Sequence, residues 1–298
     1  MPTVALLVNP ARADARRLGD EVTAWLVAHG HRARVLRVTG VERVTEGDTE
    51  TDLADVTLDG ADLAVSLGGD GTFLRLVPLA WAAKVPVLGV NFGRLGYLLE
   101  VSPDQLLGAL GRSLTGEVTL DERVVLMVTV TAAGGADASA PGRRWLAFNE
   151  IALEKTVYGH TVRLATFIDG EEFLTYSADG LLVATPSGST AYNLSAGGPV
   201  IAAHLRAMVV TPVAPHLTLD RSLVLHPDQT VEVRIRDGRP AVLVVDGREA
   251  GRLEPGSVVT CRVAREPVRL VTLAKRGFGS LVQAALRFRD PGRGEPPC

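Results

Sequence analysis

The first hundred residues alternate short apolar runs with longer segments of helical periodicity, and this alternation constrains the fold more than any other feature. Four runs have the length and composition of buried strands, over residues 4–8, 34–38, 61–67 and 85–91. The segments 13–29 and 73–84 place apolar side chains at helical spacing. Because parallel strands need long crossover connections, this alternation predicts an α/β domain with a Rossmann-like parallel sheet.

The chain changes character after residue 101. The capping-box sequence Ser102-Pro103-Asp104-Gln105 begins one more helix. Strand-like runs then recur at short spacing, over 123–131, 144–154, 231–236, 241–245, 258–263 and 268–273. This density predicts an all-β, sandwich-like C-terminal domain. We therefore expect an α/β domain over 1–101, to which the tail 275–298 returns, and a β-rich domain over 102–274.

Composition and charge exclude several classes of function. The formal net charge is −3, unlike the strongly basic character of most nucleic-acid-binding domains. No apolar run approaches the ~18 residues that span a membrane. The first residues also lack the basic and apolar regions of a signal peptide, so we expect a cytoplasmic protein without membrane or nucleic-acid partners. Two cysteines and six scattered histidines have no metal-ligand spacing, so no metal site is predicted.

A glycine-rich loop lies between the third predicted strand and the second predicted helix. In Gly68-Gly69-Asp70-Gly71-Thr72 the glycines let a ligand approach the backbone, and the following helix offers N–H groups to phosphate. The loop is not a Walker A sequence, and a plain tight turn would have the same composition. If it binds phosphate, Asp70 can act as a general base or orient a metal–phosphate group.

Two further segments place polar groups where an apolar strand or an ordinary charged loop is expected. Asn149-Glu150 interrupts the strand predicted over 144–154, and such a pair suits either a ribose diol or the solvent face. The run 185–199 contains five serine and threonine hydroxyls, three glycines and no charge. It favours hydrogen bonds to sugar hydroxyls. Asp179-Gly180 and Asp246-Gly247 have the composition of hairpin turns.

Taken together, these segments give the chain a resemblance to the ATP-NAD kinase family. The motifs that carry it occur in family order: the loop 68–72, Asn91-Phe92-Gly93-Arg94-Leu95-Gly96-Tyr97, Asn149-Glu150, the run 179–199 and Pro215-His216. Lipid kinases and phosphofructokinases share the loop, whereas the run 179–199 is specific. The resemblance implies transfer of a phosphoryl group from ATP to the 2′-hydroxyl of the adenosine ribose of NAD, giving NADP. It also implies a divalent metal, Mg²⁺, bound mainly through ATP.

The resemblance further implies the residues of the site. Asp70 would be the catalytic base, and Asp179 would contact NAD from a neighbouring subunit of a dimer or tetramer. The phosphate loop would comprise Gly68, Gly69, Gly71 and Thr72. The residues expected to bind NAD are Asp70, Gly71, Arg75, Asn149, Glu150, His160, Asp179, Thr190, Ala191, Tyr192, Asn193, Leu194, Ser195, Ala214 and Arg248. Most of them lie in the β-rich domain, which would therefore be the NAD-binding domain.

Two positions depart from the family pattern. Ser177-Ala178 stands where some relatives have an arginine two residues before Asp179, which leaves the use of NADH open. Arg248 stands where a glutamine is common. Polyphosphate as the donor and feedback by NADP or NADPH also stay open. The alternative functions are a lipid kinase of the diacylglycerol or sphingosine type and a non-catalytic NAD-sensing module.

Overall fold

The computed structural model describes residues 1–37, 56–92, 99, 101–133, 143–236, 238–273 and 279. The chain divides into two compact units. The first comprises Met1–Glu122 and the segment that begins at Val268, and the second comprises Arg123–Pro267. In the described part of the chain, no helix is long and apolar enough to cross a membrane.

In the described part of the first unit, three α-helices with defined bounds accompany one sheet of six strands. The helices are α1 (Ala13–Ala28), α2 (Asp70–Ala83) and α3 (Leu106–Leu114). The strands are β1 (Thr3–Val8), β2 (Arg32–Arg37), β3 (Leu63–Gly68), β4 (Val87–Asn91), β5 (Thr119–Arg123) and, from the end of the described chain, β18 (Val268–Thr272). Their order is β2-β1-β3-β4-β18-β5, and the pairs from β2 to β18 are parallel. The α/β prediction is confirmed.

The sheet of the first unit is buried on both faces along its central strands. All residues of β3 are buried, and the side chains from Val4 to Leu7 in β1 have no exposed surface. Helix α1 packs its apolar side onto this sheet through Leu18, Val22 and Leu26. This arrangement explains why β1 and β3 are continuous apolar runs without polar alternation, as parallel strands covered on both faces require.

The order of the first four strands places a topological switch point between β1 and β3. The chain leaves β1 for β2 on one side of it and returns to β3 on the other side. The connections after β1 and β3 therefore diverge at the carboxyl edge of the sheet. In open α/β sheets, ligands bind in the crevice at this edge. The predicted glycine loop follows β3 and lies at this position.

The residues described in the second unit form two six-stranded antiparallel sheets. Its strands are β6 (Leu126–Thr131), β7 (Arg143–Ala147), β8 (Glu150–Lys155), β9 (Val162–Ile168), β10 (Glu171–Ala178), β11 (Gly180–Ala184), β12 (Met208–Val213), β13 (Leu223–Leu225), β14 (Thr230–Ile235), β15 (Ala241–Val245), β16 (Arg248–Leu253) and β17 (Val258–Val263). The short helix α4 (Tyr192–Ser195) lies between β11 and β12. The sheet orders are β10-β9-β14-β17-β6-β7 and β13-β12-β11-β8-β15-β16.

One hydrophobic core joins the two sheets of the second unit. Val128 and Leu164 enter it from the first of these sheets, and Ile151 and Leu181 enter it from the second. The alternating burial along β6 and β15 is that of strands with one face in a core and one face outside it. The sandwich-like β domain predicted from the spacing of the strands is confirmed.

The boundary between the units differs from the one expected at residues 101 and 102. Helix α3 and strands β5 and β18 were expected in the β-rich domain, but they belong to the first unit or its sheet. The physical reason is that β18 extends the parallel sheet by pairing with β4, through Leu270 and Val87. The expected return of the tail 275–298 lies outside the described residues apart from Gly279.

Candidate active site

The glycine loop joins the end of β3 directly to helix α2. Gly68 is the last residue of the strand, Gly69 caps the helix, and Asp70 is its first residue. An added Cβ at Gly68 would lie 2.3 Å from Oγ1 of Thr72 and 3.1 Å from Cβ of Asn9. Gly68 is therefore fixed by a close approach to Asn9, which follows β1, and to the first turn of α2. At Gly69 and Gly71 an added Cβ would meet nothing within 4 Å, so the backbone is open to a ligand there.

Asp70 has the properties of a proton acceptor at a helix N-terminus. Its side chain is exposed, yet partial burial of the carboxyl group raises its pKa above the ordinary value. A raised pKa makes a carboxylate a better base. Arg75 lies one turn further along α2 and is partly buried. The loop thus places one carboxylate beside backbone that a ligand can approach.

The Asn149-Glu150 pair lies in the second unit at a bend between β7 and β8. The structure corrects the single strand expected over 144–154, because the ladder stops at Ala147 and resumes at Glu150. The two side chains are only 8% and 6% exposed. Oδ1 of Asn149 and Oε2 of Glu150 are buried without a hydrogen-bond partner. Such atoms are rare in native proteins, and hydroxyl groups of a ligand would satisfy them.

The bend is held by the carboxylate of Asp246. It accepts the backbone N–H groups of Phe148, Asn149 and Glu150, with N···O distances of 2.8, 2.7 and 3.2 Å. Asp246-Gly247 forms the turn between β15 and β16, with φ values of +48° and +77°, as a type I′ hairpin requires. The predicted hairpin is present, and its Asp has a second role that the sequence analysis did not identify.

Burial and charge together keep Glu150 protonated near neutral pH. Burial and, to a smaller extent, the negative charge of Asp246 raise the pKa of Glu150 to about 8, against the effect of a hydrogen bond from the backbone N–H of Tyr192. Burial also raises the pKa of Asp246 to about 6, against the effect of its three backbone hydrogen bonds. Asp246 therefore ionises first, and Glu150 remains a neutral carboxylic acid.

The run 185–199 packs its backbone against the Asn149 bend. Oγ1 of Thr185 donates to the carbonyl oxygen of Phe148 (2.6 Å) and accepts the N–H of Gly188 (3.0 Å). An added Cβ at Gly188 would lie 2.0 Å from the carbonyl oxygen of Asn149. The hydroxyl groups predicted to bind sugar are therefore not all available to a ligand, since those of Thr185 and Ser189 are fully buried and hydrogen-bonded within the protein.

The side chain of Asn193 is also engaged within the protein. Its amide donates to the carbonyl oxygens of Ser189 and Pro199, both at 3.1 Å, and accepts the Thr211 hydroxyl at 2.6 Å. Asn193 is fully buried. Its side chain holds the loop together, and its neighbours Thr190, Ala191, Leu194 and Ser195 are more exposed.

Several acidic side chains lie near Tyr192 at the start of α4, and one of them pairs with a lysine. Burial and the nearby charges of Glu154 and Asp179 raise the pKa of Tyr192 to about 12. Asp179 lies in a bend between β10 and β11, which belong to different sheets, so the hairpin turn expected at Asp179-Gly180 is not formed. Its carboxylate forms an ion pair of 2.7 Å with Lys155 at the end of β8. Lys155 is a second residue that the sequence analysis missed. Its partner lies 24 positions away, and the proximity follows only from the pairing of β8 with β11.

The remaining expected residues lie at the surface of the second unit. His160, Ala214 and Arg248 are exposed, in the loop after β8, after β12 and at the start of β16. Ala214 has a left-handed backbone, with φ of +44°. In the second unit the structure brings together Asn149, Glu150 and Tyr192, with Asp179 in range of the tyrosine.

The described residues include no group of three or more His, Cys, Asp or Glu side chains that could hold a metal ion. Asp70 is a single carboxylate, which does not fit the several oxygen ligands that Mg²⁺ or Ca²⁺ takes from a dedicated protein site.

The fold and the site define a class of protein with an α/β unit, whose glycine loop joins a strand to a helix, and a β-sandwich unit that has a polar, uncharged loop. Family models match both parts: the ATP-NAD kinase N-terminal domain over residues 4–118 and the ATP-NAD kinase C-terminal domain over residues 148–273. The chain is 34% identical to the NAD kinase of Moorella thermoacetica over 288 residues, which is 96% of this chain and 90% of that protein. The chain belongs to the ATP-NAD kinase family.

Two solved structures have the same fold. The crystal structure of yeast NADH kinase complexed with NADH has a TM-score of 0.80 and 23% identity, covering 99% of this chain and 90% of that one. The NAD kinase from Archaeoglobus fulgidus in complex with ATP has a TM-score of 0.70 and 25% identity, covering 96% and 99%.

Proposed function

We propose that the chain is an NAD kinase, which transfers the γ-phosphoryl group of ATP to the 2′-hydroxyl of the adenosine ribose of NAD and so forms NADP. The observation that carries this proposal is the buried Asn149-Glu150 pair, whose two oxygen atoms lack partners, in a chain that also has Asp70 on a glycine loop at the switch point of its parallel sheet. Family membership supports the same substrates.

The chemistry requires positioning and one proton acceptor. Asp70 accepts the proton of the 2′-hydroxyl as its oxygen bonds to the γ-phosphorus, and the bond between that phosphorus and the β,γ-bridging oxygen breaks to release ADP. The open backbone at Gly69 and Gly71 faces the phosphates. A divalent ion bound to ATP supplies charge neutralisation on the phosphates, and no residue of the chain is assigned as its ligand.

The second unit holds the dinucleotide. Oδ1 of Asn149 accepts a ribose hydroxyl, and Glu150, as a neutral acid, both donates and accepts on the ribose and adenine side. Around this pair, NAD contacts come from the exposed or half-buried members of the loop, namely Thr190, Ala191, Tyr192, Leu194 and Ser195. Asn193 acts by fixing the loop that carries them.

The proposal also covers the oligomeric state and the cellular location of the enzyme. The enzyme is a cytoplasmic homo-oligomer in which Asp179 contacts the NAD of a neighbouring subunit, and Arg75, His160, Ala214 and Arg248 are further NAD-binding residues. Nucleic acid and membrane are not partners. Ser177, two residues before Asp179, is uncharged, and its hydroxyl lies 2.9 Å from that of Thr161. NADH is therefore tested beside NAD as a substrate.

The experiment is a substrate panel with the purified full-length chain. NAD, NADH and diacylglycerol are each offered with ATP or polyphosphate in the presence of Mg²⁺, and products are separated by liquid chromatography with mass detection. We expect NADP from NAD and ATP, and no phosphorylated lipid. Phosphatidic acid without NADP would favour a lipid kinase. NAD binding by calorimetry without any phosphorylated product would favour a sensing module.

A further inference from the structure

Asp246 has a role that the hairpin alone does not explain. A type I′ turn needs positive φ values, which Asn or Gly at this position would provide equally well. Asp169-Gly170, between β9 and β10, is a second turn of this type, with φ values of +52° and +86°. The Asp246 carboxylate does more than set φ, since it reaches a segment nearly a hundred positions away in the sequence.

That segment depends on an acceptor outside its own strands. Where the ladder is interrupted between β7 and β8, the backbone N–H groups of Phe148 and Asn149 have no place in it, and both residues are buried. Buried N–H groups without an acceptor are costly. The two oxygens of Asp246 satisfy both groups and also the N–H of Glu150, the first residue of β8.

The three hydrogen bonds also set the direction of the site residues. They end on three consecutive amides, two of which belong to Asn149 and Glu150, so they fix the backbone orientation from which these side chains project. Thr185 holds the same bend from the other side through the carbonyl oxygen of Phe148. A carboxylate that accepts several amide protons is a strong and geometrically specific anchor.

We propose that Asp246 is a positioning residue for NAD, whose carboxylate fixes the Phe148–Glu150 bend so that Asn149 and Glu150 are presented to the dinucleotide. This inference rests on the proposed function. The residue does not touch substrate. It acts through the bend, and it therefore affects the binding of NAD more than the use of ATP.

The test compares Asp246→Asn with Asp169→Asn as a matched control. Asparagine tolerates the left-handed backbone in both turns, so each variant keeps its hairpin and replaces one carboxylate oxygen by an amide group. Asp169 also anchors a distant segment, since it accepts the N–H of Thr230 at 2.8 Å and the side chain of Gln229 at 3.0 Å. Its partners lie outside the candidate site.

Calorimetry gives the dissociation constant of NAD without ATP, turnover gives KM for NAD and for ATP, and circular dichroism gives Tm. For Asp246→Asn we expect the dissociation constant and KM for NAD to rise about tenfold or more, as the loss of hydrogen bonds to a charged group predicts, with KM for ATP changed less than about twofold. Asp169→Asn, which weakens exposed hydrogen bonds, lowers Tm less and leaves NAD binding unchanged. Equal effects of the two variants on NAD binding would overturn the proposal.

Two arms keep the outcome unambiguous. If Asp246→Asn does not fold, Asp246→Ser retains one acceptor oxygen and is measured instead. If neither variant folds, Asp246 serves the fold alone and the inference is wrong. The wild-type chain is measured in the same series. If it forms NADP and Asp246→Asn binds NAD as tightly as the wild type does, only the positioning role is refuted. If the wild type neither binds nor phosphorylates NAD, the proposed function itself is refuted.

Discussion

Replacing Gly188 by alanine perturbs the contact between the run 185–199 and the Asn149 bend. The added Cβ would lie 2.0, 2.4 and 2.7 Å from the carbonyl oxygen, carbonyl carbon and Cα of Asn149. All three are backbone atoms, so no side-chain rotation relieves the overlap. Ordinary contact begins at 3.4 Å, and the two segments must therefore separate by about 1.4 Å, which is the difference between 3.4 Å and the 2.0 Å distance from the added Cβ to the carbonyl oxygen.

The magnitude follows from what this separation disrupts. Overpacking of a buried position costs about 1–3 kcal/mol. The hydrogen bond from the N–H of Thr185 to the carbonyl oxygen of Asn149, at 2.8 Å, contributes about 1 kcal/mol more. We expect Gly188→Ala to lower the free energy of unfolding by about 2–4 kcal/mol. Because a misplacement of about 1 Å costs ~10²-fold in rate, kcat/KM for NAD should fall by roughly that factor.

Urea denaturation followed by circular dichroism measures the first quantity, and NADP formation measures the second. Gly170→Ala is the control, because its Cβ would meet nothing within 4 Å and only its positive φ is strained. That strain costs about 1–2 kcal/mol and lies outside the candidate site. Equal losses of stability in the two variants, or wild-type kcat/KM in Gly188→Ala, would refute the packing argument.

Two further predictions concern charge. The pKa of Glu150 is raised to about 8 from an ordinary value of 4.5, so between these values the folded protein retains a proton that the unfolded chain has released. The free energy of unfolding should therefore fall with rising pH across this window, by up to a few kcal/mol, and Glu150→Gln should flatten the curve measured by urea denaturation at several pH values. Lys155→Met breaks a half-exposed ion pair with Asp179, so the free energy of unfolding should fall by less than about 1 kcal/mol, as for the control Arg252→Met, which breaks another exposed pair. KM for NAD should rise only in Lys155→Met, and an unchanged KM would contradict the placement of Asp179 at the substrate.

Local patterns in the sequence predicted much of the fold. The glycine loop at residues 68–72, helix α2 and the Asp246-Gly247 hairpin each depend on neighbouring residues, through periodicity, helix capping or positive φ. The place of β18 could not be predicted in this way. Its pairing with β4 joins Leu270 to Val87, but its sequence, in which Arg269 separates Val268 from Leu270, resembles the alternating strands of the sandwich more than the apolar runs of β1 and β3.

The site was predictable in composition but not in connections. The polar pair Asn149-Glu150 is visible in the sequence because it interrupts an apolar strand. The two side chains need hydrogen-bond partners because they are buried. The anchoring of this pair by Asp246 was not visible, since hydrogen bonds across nearly a hundred positions follow only from the register of β8 with β15. Likewise, only packing shows that Asn193 holds the loop together.

The most direct test of the central claim is the Asp70→Asn variant, with turnover and NAD affinity measured on the same protein. Asp70 is the first residue of α2, where loss of its charge costs at most about 1 kcal/mol of helix stability, so the variant should fold. The account predicts that the dissociation constant of NAD stays within about threefold of the wild type, while kcat for NADP formation falls by ~10²–10⁴-fold, the range expected for loss of a general base. A kcat near that of the wild type, in a variant that binds NAD normally, would contradict the assignment of Asp70 as the base that activates the 2′-hydroxyl.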